Sequence, residues 1–392
     1  MKILIIGAGA YVTGRNKSGI GTILSTIAQA SKELPIIEVF IVARSQENQM
    51  HVESETNRIN STLNTNLKVS YRCLNSDDVF KEIAALCQVE MFDCCIVSTP
   101  DHLHYEHIKA AITNNMHVLT VKPFVLITNE AKELIDLANA HNVYGAVEFH
   151  KRFDESNLYV KNVVHNEELG DILYANVNYS QRIINPVETF SQWSDKSNIF
   201  QYLGVHYVDL IYFITGFYPT GLCAYGTAVK LKSLGINTFD SIHVMLEWQN
   251  QHNPNKKFIS QFNTNWVDPN CTSAMSDQKI NFVGTEGRIE CDQKNRGVQL
   301  VNNQAFIQDI NPYFSEYLLD ANGNKQFSGY GYKSIKQFLD DVLAIKHDKI
   351  IISELNKLRP SFKEALVSTR VIESVNLALK EKPQWISVNE VS

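Results

Sequence analysis

The residues best suited to chemistry in this 392-residue chain fall into three groups. The first is Gly7-Ala8-Gly9, with Tyr11 close behind. Glycines in such a turn let the backbone bend sharply and approach a pyrophosphate at a helix N-terminus. The second is Lys122, between Val121 and Pro123. An ammonium there can protonate a developing alkoxide or stabilise its charge, as hydride transfer to a carbonyl requires. Taken alone, such a lysine reads more simply as a solvated surface group. The third is Tyr202, His206 and Asp209, spaced i, i+4 and i+7. On a helix this spacing puts a phenol, an imidazole and a carboxylate on one face. A purely structural histidine beside Tyr207 and Leu210 is the plainer alternative.

The elements that would position these groups follow from the hydrophobic pattern. Ile3 to Ile6 is a continuous apolar run, as expected of a strand buried on both faces. Helical spacing follows at Ile20, Ile23, Leu24 and Ile27. Further strands are predicted at Val39–Ala43, Val69–Cys73, Cys94–Val97, His117–Val121 and Val143–Phe149, with helical stretches between them. This alternation predicts a parallel α/β sheet. Gly7 and Lys122 then sit at the carboxyl ends of strands, where open α/β sheets bind ligands. From Lys151 onward, alternating stretches at Ile172–Tyr179, His243–Trp248, Phe258–Phe262, Ile280–Val283 and Gly297–Val301 predict an antiparallel sheet. Helices are predicted at His206–Thr215, Ile335–Ile345 and Phe362–Leu379. The expected organisation is therefore a dinucleotide-binding domain over 1–150 and an α+β domain over 151–392.

The glycine turn departs from the usual pattern. Val12 stands where a third glycine is expected, and Gly14, Gly19 and Gly21 come later. Thr13 to Gly19 reads as an inserted loop, whose Arg15 and Lys17 either close over a phosphate or are merely solvated. The second strand ends at Ala43-Arg44-Ser45 instead of at a carboxylate that would bind the ribose hydroxyl. Arg44 and Ser45 suit a 2′-phosphate, so NADP is expected over NAD. Glu47 keeps NAD open.

Several segments in order resemble the glucose–fructose oxidoreductase / inositol dehydrogenase (Gfo/Idh/MocA) family. They are Gly7-Ala8-Gly9, Ser98-Thr99-Pro100-Asp101-His102-Leu103-His104, Lys122-Pro123, Glu168-Leu169-Gly170-Asp171-Ile172, Gly204-Val205-His206-Tyr207-Val208-Asp209 and Gly284-Thr285-Glu286-Gly287. The resemblance implies a Rossmann domain followed by a domain with a large open, mostly antiparallel sheet that builds homodimers or homotetramers. It implies an NAD(P)-dependent dehydrogenase or ketoreductase acting on a sugar, sugar phosphate or nucleotide sugar. Lys122 and His206 would act at the site of chemistry. Ser98, Thr99, Pro100, His104 and Arg152 would join Gly7, Ala8, Gly9, Tyr11, Arg44, Ser45 and Lys122 around the cofactor. Trp193, Tyr202, His206, Asp209 and Lys122 would line the substrate, the indole suiting a pyranose face.

Two departures stand out. The carboxylate before the lysine is replaced by Val121, and the acid four residues before the histidine by Tyr202. Tyr202 would then share proton transfer, with Lys122 lowering its pKa. Alternatively His206 acts alone, or catalysis is lost and the chain is an NAD(P)-binding sugar sensor. A glycosidase working through transient oxidation is a further alternative. Asn263, Asn265, Trp266, Asp268, Ser276, Asp277, Gln278 and Arg359 are weaker substrate-binding candidates, since polar loop residues are commonly just solvated.

The formal charge of −6 gives no global case for nucleic acid or an anionic membrane. The apolar N-terminal run is too short for a signal peptide, and the expected location is the cytoplasm. Seven cysteines without a C-x-x-C pair argue against a disulfide framework or structural zinc, and the histidines suggest no metal site.

Overall fold

The computed structural model describes residues 1–14, 20–74, 78–304 and 306–388. The chain forms two compact units. The first comprises Met1–Val125, Asn129–Phe153 and Tyr313–Leu366, and the second comprises Leu126–Thr128, Asp154–Pro312 and Val367–Ser392.

In the first unit the predicted strands form as β1 (Lys2–Ile6), β2 (Glu38–Ala43), β3 (Val69–Cys73), β4 (Cys94–Val97), β5 (His117–Val121) and β6 (Gly145–Glu148). They make one parallel sheet in the order β3-β2-β1-β4-β5-β6. All four residues of β4 are buried, as are Ile3 to Ile6 of β1, because helices cover both faces of such a sheet. The strand order reverses between β1 and β4, and the crevice outside their carboxyl ends is where this architecture takes ligands.

The domain boundary differs from the one expected at 150/151. Residues 313–366 return to the first unit, including the helix Tyr330–Lys346. Its apolar stripe, Ile335, Phe338, Leu339 and Val342, joins the same core as Ile3, Ile5 and Tyr144. Phe338 stacks on Tyr144 at 5.8 Å. Burying each such side chain stabilises by about 1.5–3 kcal/mol. The stripe is plain in the sequence, but which core it faces is a long-range fact.

The second unit holds a seven-stranded mixed sheet. Its main strands are β7 (Ile172–Arg182), β8 (Tyr218–Thr227), β9 (Ser241–Gln249), β10 (Lys257–Asp268), β11 (Ser276–Gly284) and β12 (Arg288–Asp292). The order is β12-β11-β7-β10-β9-β8, with Ile386–Ser387 at the β8 edge. The β7–β10 pair is parallel and the other pairs are antiparallel. Alternation sets the faces. Along β10, Phe258, Ser260, Phe262, Thr264 and Trp266 are buried. The residues between them face outward. The inner face packs on helices Glu155–His165 and Val205–Thr215 and on Val367, Val371 and Val375. The strand expected at Gly297–Val301 forms at Val298–Asn302, but in an exposed hairpin with Phe306–Ile310, outside the large sheet. Strand β8 was not expected, because Pro219, Gly221 and Gly226 hide its pattern. Among the described residues no helix is long and apolar enough to cross a membrane.

Candidate active site

At the end of β1 the chain turns through Gly7, whose φ is +112°. A Cβ there would lie 2.1 Å from the carbonyl oxygen of Ser98, so only glycine lets the turn approach the end of β4. Ala8 is buried. Gly9 caps the one-turn helix Ala10–Thr13, and apart from its own chain neighbours no described atom lies within 4 Å of where its Cβ would be. The helix breaks at Gly14 and resumes at Thr22–Ala30. Gly21, with φ +73°, would place a Cβ 2.5 Å from the Thr13 carbonyl carbon. Only glycine lets the chain pass this close to the end of the Ala10–Thr13 turn, while Val12 is buried in the core. Tyr11 is half-buried against the same core. Arg15, Lys17 and Gly19 lie outside the described residues. Arg44, Ser45 and Glu47 are exposed just beyond β2. The tight turn at Gly7, the open space at Gly9 and the exposed cation at Arg44 fit a dinucleotide.

Lys122 follows β5 at a cis peptide bond to Pro123 and is half-buried. Burial pushes its pKa down to about 8, against the pull of the Asp101 and Glu148 carboxylates. These come from the two flanking strands: Asp101 lies in the segment after β4, and Glu148 ends β6, in register with Val121. Both carboxylates are buried. Ser98, Thr99 and Pro100 are half-buried along the segment leading to Asp101. Thr99 Oγ1 lies 2.9 Å from His107 Nδ1. Burial lowers the His107 pKa to about 3, with help from His104 and Arg44.

His104 is not placed to touch a cofactor. It is fully buried, and its ring bridges the carbonyl oxygens of Pro123 (2.7 Å) and Thr99 (2.9 Å). It ties the segment after β4 to the turn that carries Lys122. Arg152 is also buried, with its guanidinium 3.5 Å from Glu364 and 5.9 Å from the Phe149 ring.

In the second unit His206 and Asp209 are buried on the helix Val205–Thr215. Tyr202 lies in the preceding Phe200–Gly204 turn, which is a π-helix. Such a turn is wider than an α-helical one, so the i, i+4 relation does not carry over unchanged. The rings group accordingly. Tyr202 joins Phe190 (4.9 Å), Trp193 (5.8 Å) and Trp266 (5.8 Å), whereas His206 lies 6.4 Å from Tyr179. The π form changes the helical phase between Tyr202 and His206.

Residues 1–149 match the model of the "Oxidoreductase family, NAD-binding Rossmann fold", and residues 157–290 match that of the "GFO/IDH/MocA C-terminal domain". The chain belongs to the GFO/IDH/MocA oxidoreductase family. Glucose-6-phosphate 3-dehydrogenase of Bacillus subtilis is 28% identical over 125 residues, covering 30% of this chain and 35% of the relative. The scyllo-inositol 2-dehydrogenase (NADP(+)) of the same organism is 27% identical over 175 residues, covering 44% and 47%. The chain thus matches less than half the length of these curated relatives. The scyllo-inositol dehydrogenase of Lactobacillus casei, solved with NAD(H) and scyllo-inositol, superposes with a TM-score of 0.66 at 15% identity, over 99% of both chains. That likeness is one of fold.

For a GFO/IDH/MocA protein, the first unit brings together Gly7, Ser98, Thr99, Pro100 and Lys122 at one edge of the parallel sheet. Sequence reasoning missed Asp101 as a neighbour of the lysine and missed Glu148 altogether. The signal for Glu148 was its place at the end of the strand beside β5. Trp266, offered as a hydroxyl-binding group, is fully buried, and its indole donates to Gln181 Oε1 at 2.9 Å. Arg359 is held by Asp341 at 2.9 and 3.1 Å, which accounts for its charge without a substrate. Asn263, Asn265, Asp268 and Asp277 line a cavity of about 510 Å³ on the outer face of the second sheet. Among the described residues no group of three or more His, Cys, Asp or Glu could hold a metal.

Proposed function

We propose that this GFO/IDH/MocA oxidoreductase moves a hydride between NADP or NAD and a hydroxyl or ketone of a sugar or sugar derivative. The observation that carries the reading is Lys122, held at the carboxyl edge of the parallel sheet with its pKa pushed down to about 8. The family membership and the sugar dehydrogenases among the relatives support the same class.

A dinucleotide held there would supply a ring that accepts and returns hydride. Gly7 and Gly9 let the backbone approach its phosphates, and Arg44 with Ser45 suits a 2′-phosphate, which favours NADP. Lys122 binds the substrate oxygen. In the oxidative direction its neutral amine takes the hydroxyl proton, and in the reductive direction its ammonium returns one to the alkoxide. A pKa near neutrality suits both. His206, Tyr202, Asp209 and Trp193 are assigned to proton transfer and sugar contact by the resemblance. Arg152 is assigned to the cofactor on the same basis. The outer face of the second sheet, with Tyr174, Tyr225 and Met245 exposed, is assigned to self-association as a homodimer or homotetramer.

The test is a panel of free, phosphorylated and nucleotide-linked sugars, each incubated with NADP or NAD. Stoichiometric change in nicotinamide absorbance with one of them supports the reading. Tight cofactor binding without turnover on any sugar would instead indicate a sensor. Bond cleavage without net redox change would indicate the transient-oxidation route.

A further inference from the structure

Position 121 holds valine, so Lys122 lacks a carboxylate at the preceding residue. The sheet offers another source. The parallel register places Val121 of β5 beside Glu148 of β6, so Glu148 ends its strand level with the residue before the lysine. Glu148 is 2% exposed, deep burial for a carboxylate. Its two oxygens are treated differently. Oε2 accepts a hydrogen bond from His150 Nδ1 at 2.9 Å. Among the described residues Oε1 is buried with no hydrogen-bond partner. A buried carboxylate oxygen without a donor is costly and calls for a compensating positive charge. The Lys122 ammonium is attracted by Glu148 and, more strongly, by Asp101.

His150 is itself fixed. Its ring stacks on Tyr330 at 5.6 Å and lies 4.9 Å from the Phe314 ring. It thereby holds the carboxylate in one orientation. The other polar groups of this corner have their own roles. Arg152 faces Glu364, and His104 bridges two carbonyl oxygens beneath the lysine turn. Lys151 is buried in the same turn as His150 and Arg152.

We propose that Glu148, oriented by His150, is the positioning residue of Lys122 and does the work of the carboxylate absent at position 121. Asp101, in the turn after β4, also favours the ammonium, so the lysine sits in a carboxylate clamp drawn from the ends of the two strands that flank β5. The clamp keeps a partly buried ammonium charged at neutral pH and holds it toward the carboxyl edge of the sheet. The role of Lys122 in hydride transfer rests on the function proposed above, but the clamp does not require turnover to be measured.

The experiment reads Lys122 directly. Acylation of the full-length protein by an amine-reactive ester is followed against pH by mass spectrometry, because only the neutral amine reacts. The wild-type midpoint is expected near 8. Removing a carboxylate that favours the ammonium must lower the midpoint, and Glu148→Gln is expected to lower it by on the order of one pH unit. Glu148→Asp should fall between, and His150→Phe, which keeps the ring and removes the donor, should shift it less than Glu148→Gln. In turnover, the pH limb that rises as the amine forms should move to lower pH in Glu148→Gln, with kcat changed more than KM. A Glu148→Gln protein with wild-type melting behaviour and an unmoved midpoint overturns the proposal. If Glu148→Gln does not fold, an unmoved midpoint in Glu148→Asp overturns it equally. A shifted midpoint in a protein that turns over no sugar supports the clamp and removes the proposed function instead.

Discussion

The molecule carries two dense groups of polar residues on its sheets, and they differ in kind. At the edge of the parallel sheet, Asp101, Glu148 and His104 are buried, and Lys122 is partly so. Each is tied to a neighbouring strand end by charge or hydrogen bond. On the outer face of the second sheet, Asn178, His243 and Asn263 form an exposed row, with His243 Nδ1 and Asn263 Oδ1 2.9 Å apart and Asn263 donating to Asn178 at 3.2 Å. That row lines the cavity of about 510 Å³, and its groups hydrogen-bond one another. Confinement separates the two: desolvation shifts the lysine toward neutrality, which is what a proton-transfer group needs. A hollow lined by exposed amides supplies contacts but little chemistry.

The sharpest way to break this contrast is Lys122→Ala, expected to lower turnover by about 100-fold or more while cofactor affinity changes little. Steady-state rates and fluorescence titration of NADPH check it, and near wild-type turnover would remove the lysine from the chemistry. His206→Asn is expected to cost on the order of 100-fold and Tyr202→Phe about 10-fold with an altered pH profile. Full activity in Tyr202→Phe beside a dead His206→Asn would reduce the phenol to one ring of the Phe190, Trp193 and Trp266 cluster. Arg44→Asp should swing the ratio of NADPH to NADH affinity by about tenfold toward NADH. If wild-type protein already prefers NADH, the cofactor assignment fails. A pH series sharpens the comparison further. Ketone reduction uses the ammonium, so its rate should fall as pH rises through about 8, while alcohol oxidation should rise over the same window. The smallest effect is expected on the exposed face, where Asn263→Ala should change turnover by less than about twofold. A large loss there would mean that the outer cavity holds substrate after all.

Local pattern was enough for much of the first unit. The apolar run Ile3–Ile6 followed by Gly7, and the run His117–Val121 followed by Lys122, mark strand ends without any knowledge of neighbours. The partners of Lys122 were not legible, because Asp101 and Glu148 reach it only through strand order and register, which couple residues far apart in the chain. The Tyr202–His206 spacing assumed α-helical phase, whereas the turn between them adopts the π form. Strand β8 was obscured by Pro219 and its glycines. The π turn and β8 both break a periodic rule locally, and tertiary packing overrides the local preference.

On the ribosome, the sheet of the first unit emerges long before the helix that completes its core. All six strands have been made once Glu148 is added, but Ile335, Phe338, Leu339 and Val342 follow on the order of 10–40 s later at usual elongation rates. During that interval Tyr144 lacks the aromatic ring it stacks on in the finished protein. The nascent sheet is therefore a natural client for chaperones, and a gene fragment cut near residue 150 would encode an unfinished core instead of a small independent domain.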